Sequence, residues 1–343
     1  MKFTGIFAVY PLMTFQSEFH RTVFTAAISY YQNPRTVLVR SSELHRGVQI
    51  SVRAERASQD IKDNYFSGLM FFEAGDWLLL FEVDLTYPGR KEFWTDDADK
   101  AEKYSDDEVE GLWQSVIPSF LDTDIQTYLM AMNLAFPGGF QTVGNAWVSD
   151  GAIHHHSSSY LSVLEESIDF VVEQGFVPAL LPPEQVMQWV LAQNGVLSGY
   201  SDTTASRALN YFTRLYTRQF RNDEISDLVW AVAAIEALLV DAGRSSVGQL
   251  KSKLNALFKG HRNAEWLRKS VDQMYEFRSK MVHGNRQIRS IFRDDEDKNS
   301  KRADEEYDAK RFAVGLLVIL LQRLIRANQT AFEFELSCLN IGD

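Results

Sequence analysis

The sequence predicts an α+β protein, with an N-terminal β-rich domain followed by a C-terminal all-α helical bundle. Two observations carry this. Up to about Asp150, apolar residues cluster in short β-branched or aromatic runs between turn residues; after Pro182-Pro183 they recur with helical period. Length and composition agree: 343 residues suffice for two cores, and 45% hydrophobic with 24% charged residues is ordinary for a globular chain. The expected organisation is a β-rich domain over 1–150, a linker and connecting helix over 151–182, a bundle over 183–330 and a tail over 331–343.

In the first part, TGIFAVY, RTVLVR, GVQISVRA and GDWLLLFEVDLTY are the clearest strand candidates, and QTVGNAWVS is read as the last strand. The acidic stretch TDDADKAEKYSDDEVEGLW is expected to be an exposed loop or a helix start. DTDIQTYLMAMNLAF has helical spacing and ends at Pro137-Gly138-Gly139. His154, His155 and His156 are read as part of a polar loop, because adjacent histidines project in different directions and no Cys or acidic partner lies at ligand spacing.

Six helices are expected after Pro183. EQVMQWVLAQNG is the first. TTASRALNYFTRLYTRQF follows, with Thr203 or Thr204 as N-cap. DEISDLVWAVAAIEALLVDAG is strongly apolar yet carries Glu236 at its middle, read as accepting a buried hydrogen bond or an arginine partner in a structural rather than a catalytic role. SSVGQLKSKLNALFKG comes next. NAEWLRKSVDQMYEFRSKMVHGN shows an apolar stripe of Trp266, Val271, Met274, Phe277 and Met281 and stops at Gly284-Asn285. RDDEDKNSKRADEE reads as a charged loop, and DAKRFAVGLLVILLQRLIRANQ, apolar nearly all round, as the central helix. Its run Phe312 to Leu321 is shorter than the ~20 residues that span a bilayer. Cys338 is the single cysteine, which excludes a disulfide framework and fits a reducing cytoplasm; no leader-peptide pattern opens the chain.

Charge is divided unevenly. Residues 184–343 hold 23 Lys and Arg against 21 Asp and Glu, which leaves 12 of the 35 basic and 25 of the 46 acidic residues to positions 1–183. Within Lys251 to Arg293 the balance is 11 basic to 3 acidic. The overall charge of −11 argues against a general nucleic-acid coat protein, but this basic segment suits a phosphate ligand.

That segment contains Arg278 and His283 in YEFRSKMVHGN. A guanidinium neutralises a phosphate and an imidazole moves a proton near neutrality, the minimum needed to cut RNA without a metal. Five residues turn an ideal helix to ~140° of separation, so the two converge only where the helix ends or bends. The plain alternative is Arg278 paired with Asp272 or Glu276, and His283 as a cap. Arg40 and His45 have the same spacing between strand-like segments and are read as coincidence.

SRALNYFTRLY, then AVAAIEALL, then KLNALF, then YEFRSKMVHGN and a final apolar helix resemble a HEPN domain, in particular the ApeA-like subset of prokaryotic defence proteins. The resemblance runs from about Glu184 to Ala327 and is most specific in the R-x4-H signature. It implies a metal-independent, cofactor-free endoribonuclease that dimerises so that two motifs face one cleft. Arg278 would hold the scissile phosphate and His283 would serve as general base or acid toward the ribose 2′-OH and the leaving oxygen. Ser279 stands where the family often has Asn, Asp or His, and would support the site by hydrogen bonding. Lys280, Arg286 and Arg289 are candidate RNA-backbone contacts, with solvated charges as the alternative. Asn285 stands where some HEPN toxins carry a modifiable tyrosine, so that control is not expected.

By the same resemblance the protein would be a cytoplasmic, toxin-like effector of antiviral defence by abortive infection, with RNA, including tRNA, as substrate. The β-rich domain, in which no catalytic motif is found, would sense a trigger. Two other functions stay open: a catalytically inactive HEPN module that dimerises and binds nucleic acid or a partner, and a scaffold whose β domain recognises a protein.

Overall fold

Residues 1–9, 17–37, 48–69, 72–85, 105–139, 142–157, 162–193, 201–216, 224–241, 246–285 and 300–334 are described by this computed structural model. They form six strands and ten helices, consistent with the α+β class. Two compact units emerge. The first comprises residues 1–165, 179–191 and 216–222; the second comprises 166–178, 192–215 and 223–343.

The first unit is organised by an antiparallel sheet of β1 (Lys2–Val9), β2 (Arg35–Thr36), β3 (Gln49–Arg56), β4 (Trp77–Asp84), β5 (Thr142–Ser149) and β6 (Ala152–Ser157), in the order β2-β3-β4-β1-β5-β6. β1 sits between β4 and β5, pairing Phe7 with Leu79 and with Asn145. Its unbroken apolar run, buried from Gly5 to Val9, reflects this central place. Ile6, Ala8, Leu78 and Leu80 pack with Phe66 and Phe72 on one side of the sheet. Phe7 meets Phe81 at 4.9 Å and Trp147 at 5.9 Å between ring centroids. Each fully buried ring or aliphatic side chain contributes about 1.5–3 kcal/mol.

The histidine stretch is not a loop. It forms β6, the edge strand, in which His155 pairs with Trp147 and His156 with Ala146. Asp150-Gly151 makes the turn before it: both have positive φ (50° and 80°), as a two-residue hairpin turn of the right twist requires. The sheet therefore runs past Asp150.

Helices α1 (Glu18–Tyr31) and α2 (Gln59–Tyr65) were not legible as helices among the strand signals, although Ser17 and Ser58 cap them, their side chains accepting from the N–H of His20 and Ile61. Helix α3 (Asp106–Ala135) is twice as long as its apolar segment suggests. A capping box of Ser105 and Glu108 starts it inside the acidic stretch, and Pro118 lies within it. Among the described residues RTVLVR contributes the short β2; Arg40 and His45 lie outside them.

Then come α4 (Ser162–Glu173), α5 (Pro183–Ala192), α6 (Thr204–Tyr216), α7 (Glu224–Leu239), α8 (Ser246–Leu257), α9 (Ala264–Val282) and α10 (Ser300–Ala327). Thr203 is the N-cap of α6: its hydroxyl accepts the Ser206 N–H at 3.0 Å while Ser206 Oγ accepts the Thr203 N–H at 3.0 Å. In the second unit α10 packs on α7 and α9, and its Phe312 to Ile325 stretch is almost wholly buried. Charged residues 300–306, expected in a loop, belong to its first turns. No helix among the described residues is long and apolar enough to cross a membrane.

Candidate active site

Helix α9 owes its orientation to a stripe of Leu267, Val271, Met274, Tyr275 and Phe277, all buried. Trp266, expected in that stripe, is half-buried and meets Phe312 edge-on at 5.4 Å. Tyr275 and Arg278 are three residues apart and therefore neighbours on the helix surface. Both reach Glu236 of α7. The Tyr275 hydroxyl donates to Glu236 Oε1, and Arg278 Nη2 donates to Oε2 at 3.3 Å. The carboxylate at the middle of an apolar helix is thus explained, since each oxygen has a donor.

The ion pair is only partly buried, with side-chain exposures of 28% for Arg278 and 20% for Glu236. That places it between a solvated pair, worth about 0–1 kcal/mol, and a desolvated one. Arg278 is not fully employed. Its Nε is buried without a hydrogen-bond partner, and no acceptor among the described residues meets Nη1. A guanidinium has five N–H donors, and Glu236 takes one edge position.

His283 is the C-cap of α9, with φ −90° and ψ 6°, and it is exposed. The helix ends there in a Schellman arrangement: Asn285 N–H donates to Lys280 O at 2.9 Å and Gly284 N–H to Met281 O at 3.1 Å. Gly284 adopts φ +65°, the left-handed conformation this ending needs. The imidazole is therefore presented to solvent at a fixed helix terminus.

Because α9 is continuous from Arg278 to Val282, the two side chains stay ~140° apart around its axis. No hydrogen bond joins them among the described residues. One chain orients each group without bringing them together.

Other expected site residues divide as follows. Ser279 takes part through its carbonyl, which accepts the His283 N–H at 3.1 Å. Lys280 pairs with Glu276 one turn away, both well exposed at 49% and 63%, so it is a solvated pair in this structure. Asp272 pairs with Lys251. Both alternative partners proposed for Arg278 are thus engaged elsewhere. Arg286 and Arg289 lie outside the described residues.

Tyr275 was not singled out in the sequence; the signal was its i,i+3 relation to Arg278 opposite a lone carboxylate in an apolar helix. No cluster of three metal-ligating side chains surrounds Arg278 or His283 among the described residues. No protein-family model, curated protein or solved structure matches this chain.

Proposed function

We propose that this protein is a metal-independent endoribonuclease of HEPN type, a cytoplasmic effector of antiviral defence that acts as a homodimer on RNA. The observation that carries the reading is a partly buried guanidinium, tethered on one side and with donors to spare, on the same helix end as an exposed imidazole. The surrounding 11-to-3 excess of basic residues between Lys251 and Arg293 would draw in a polyanion.

In the proposed reaction the imidazole of one His283 accepts the ribose 2′-OH proton as that oxygen attacks the adjacent phosphorus. The 5′-oxygen leaves and takes a proton from the second copy's imidazole. The products are a 2′,3′-cyclic phosphate and a free 5′-hydroxyl. Arg278 from each copy neutralises the charge that gathers on the non-bridging oxygens. Within one chain the two groups stay apart, so in this reading a second copy would bring its own imidazole to the Arg278 side of α9. DNA lacks the attacking hydroxyl and is spared.

The test is incubation of the purified chain with tRNA and total RNA in EDTA, beside a His283→Ala variant. Cleavage by the wild type alone supports the reading. Equal cleavage by both, or none by either, refutes it.

A second reading is favoured by the Glu236–Arg278 pair itself. An arginine committed to a carboxylate can be a structural clamp, making the helical unit a catalytically inactive HEPN-like module that dimerises and binds nucleic acid or a partner. In that case Arg278→Ala lowers the melting temperature and weakens binding, with no cleavage to lose.

A further inference from the structure

Resting on the nuclease reading, we infer that Tyr275 is a positioning residue for RNA cleavage, acting through Glu236 to fix the guanidinium of Arg278. The Tyr275 hydroxyl is held at Glu236 Oε1, and the other carboxylate oxygen holds Arg278 Nη2 at 3.3 Å. With 7% exposure, the Tyr275 ring is locked by packing, whereas the two ionic groups are more open. The rigid member of the trio is therefore the phenol.

A carboxylate on a flexible Glu side chain has several rotamers from which it can reach an arginine. A donor on one oxygen selects among them and turns the other oxygen toward Nη2. Arg278 then presents Nη1 in a constant direction, with its Nε enclosed. An electrostatic stabiliser works only if its donors point to where charge develops, so a loosened guanidinium costs more in the transition state than in ground-state binding. Glu236 also tempers the local positive charge, so Arg278 neutralises an RNA phosphate only while sharing its charge with that carboxylate.

Tyr275→Phe keeps the ring and removes only the hydroxyl. On tRNA in EDTA, with the full-length chain, the expected result is a kcat lower by about tenfold or more with KM nearly unchanged. Glu236→Gln keeps an acceptor for Tyr275 but weakens the tie to Arg278, and should lower kcat similarly. A second readout does not depend on cleavage: nitrogen NMR of the Arg278 guanidinium. Restricted rotation about its C–N bonds is expected in the wild type, and faster rotation in Tyr275→Phe at an unaltered melting temperature.

Wild-type kcat together with an unchanged Arg278 signal in Tyr275→Phe overturns the inference. A lower kcat accompanied by a lower melting temperature, with rotation unchanged, reduces Tyr275 to a packing role and also overturns it. If the wild-type chain cuts no RNA, the nuclease reading fails and the positioning role fails with it; the NMR arm then reports only whether the three side chains are coupled.

Discussion

The same three residue types meet in each unit, with different results. In the first unit, Tyr30 donates its hydroxyl to Glu184 and Arg35 lies over the tyrosine ring, 4.7 Å from its centroid, with Nε donating to the Tyr30 carbonyl at 3.2 Å. In the second, Tyr275 donates to Glu236 and the arginine is on the carboxylate itself. Arg35 is spent on a ring face and a carbonyl at an exposed surface. Arg278 is half-buried, ionically anchored, and left with donors unmet. Residue composition therefore does not separate the two clusters; the place of the guanidinium relative to the carboxylate does.

Burial separates the two carboxylates further. Glu184 is held below its usual range by the Tyr30 hydrogen bond, against the smaller opposing effect of burial. Tyr30 is pushed up to about 12, by burial first and then by its bond to Glu184. These shifts keep Tyr30 neutral and Glu184 ionised at pH 7, so neither is poised to exchange a proton there. Near Arg278 the exposed imidazole of His283 stands at the end of the same helix.

The largest effect that would sharpen this comparison is on catalysis. Arg278→Ala should lower RNA cleavage by about 10²–10⁴-fold, while Arg35→Ala leaves it within twofold, as measured by initial rates in EDTA. A comparable loss in both would erase the distinction drawn between the clusters. His283→Ala should match Arg278→Ala in rate yet change stability by less than about 0.5 kcal/mol, since the side chain is exposed.

Next in size is packing in the helical unit. A Cβ at Gly315 would come within 2.6 Å of the Ser167 carbonyl and 2.7 Å of Val171. Gly315→Ala is expected to cost about 1–3 kcal/mol in denaturant unfolding, because backbone rather than a flexible tip must move. No loss would mean that α4 and α10 leave room for a methyl group between them.

How much of this was readable in advance depended on whether a signal was local. β1, β3, β4 and five of the six expected bundle helices follow from their own periodicity, and α10 from its apolar core. The histidine strand β6 did not, since its strand character comes from pairing with β5 and from the Asp150-Gly151 turn rather than from apolar alternation. Helix α1 was obscured because its aromatic and β-branched residues resemble those of a strand. At the candidate site, Arg278 and His283 were visible as types and spacing, and Glu236 as an oddity. Their link through Tyr275 was not, because it joins residues 39 positions apart across two helices.

A smaller test addresses the first-unit cluster. Tyr30 binds its proton up to about pH 12 in the native chain against 10.0 for the free side chain. Stability from this group is thus full below pH 10 and lost as pH rises through 12. Tyr31 and Tyr128, raised chiefly by burial, add in the same sense. Tyr30→Phe should cost about 1 kcal/mol at pH 7 and make the alkaline loss shallower in melts between pH 9 and 12, with cleavage unaffected.

The smallest expected change is at Asp124, which burial pushes up to about 6 from 3.8. Its contribution is present below pH 4 and lost as pH rises through 6, where the native carboxyl ionises in a partly dry site. Asp124→Asn should raise stability at pH 7 by about 1 kcal/mol or less, and flatten the melting temperature between pH 4 and 6.

The most direct measurement is the chemistry of the cut ends. RNA incubated with the full-length chain in EDTA should yield fragments bearing 2′,3′-cyclic phosphates and 5′-hydroxyls, and a strand with 2′-deoxyribose at the cleavage position should stay intact. Fragments with 5′-phosphates, cutting of the deoxy-substituted strand, or intact RNA throughout would contradict a 2′-OH reaction run by Arg278 and His283.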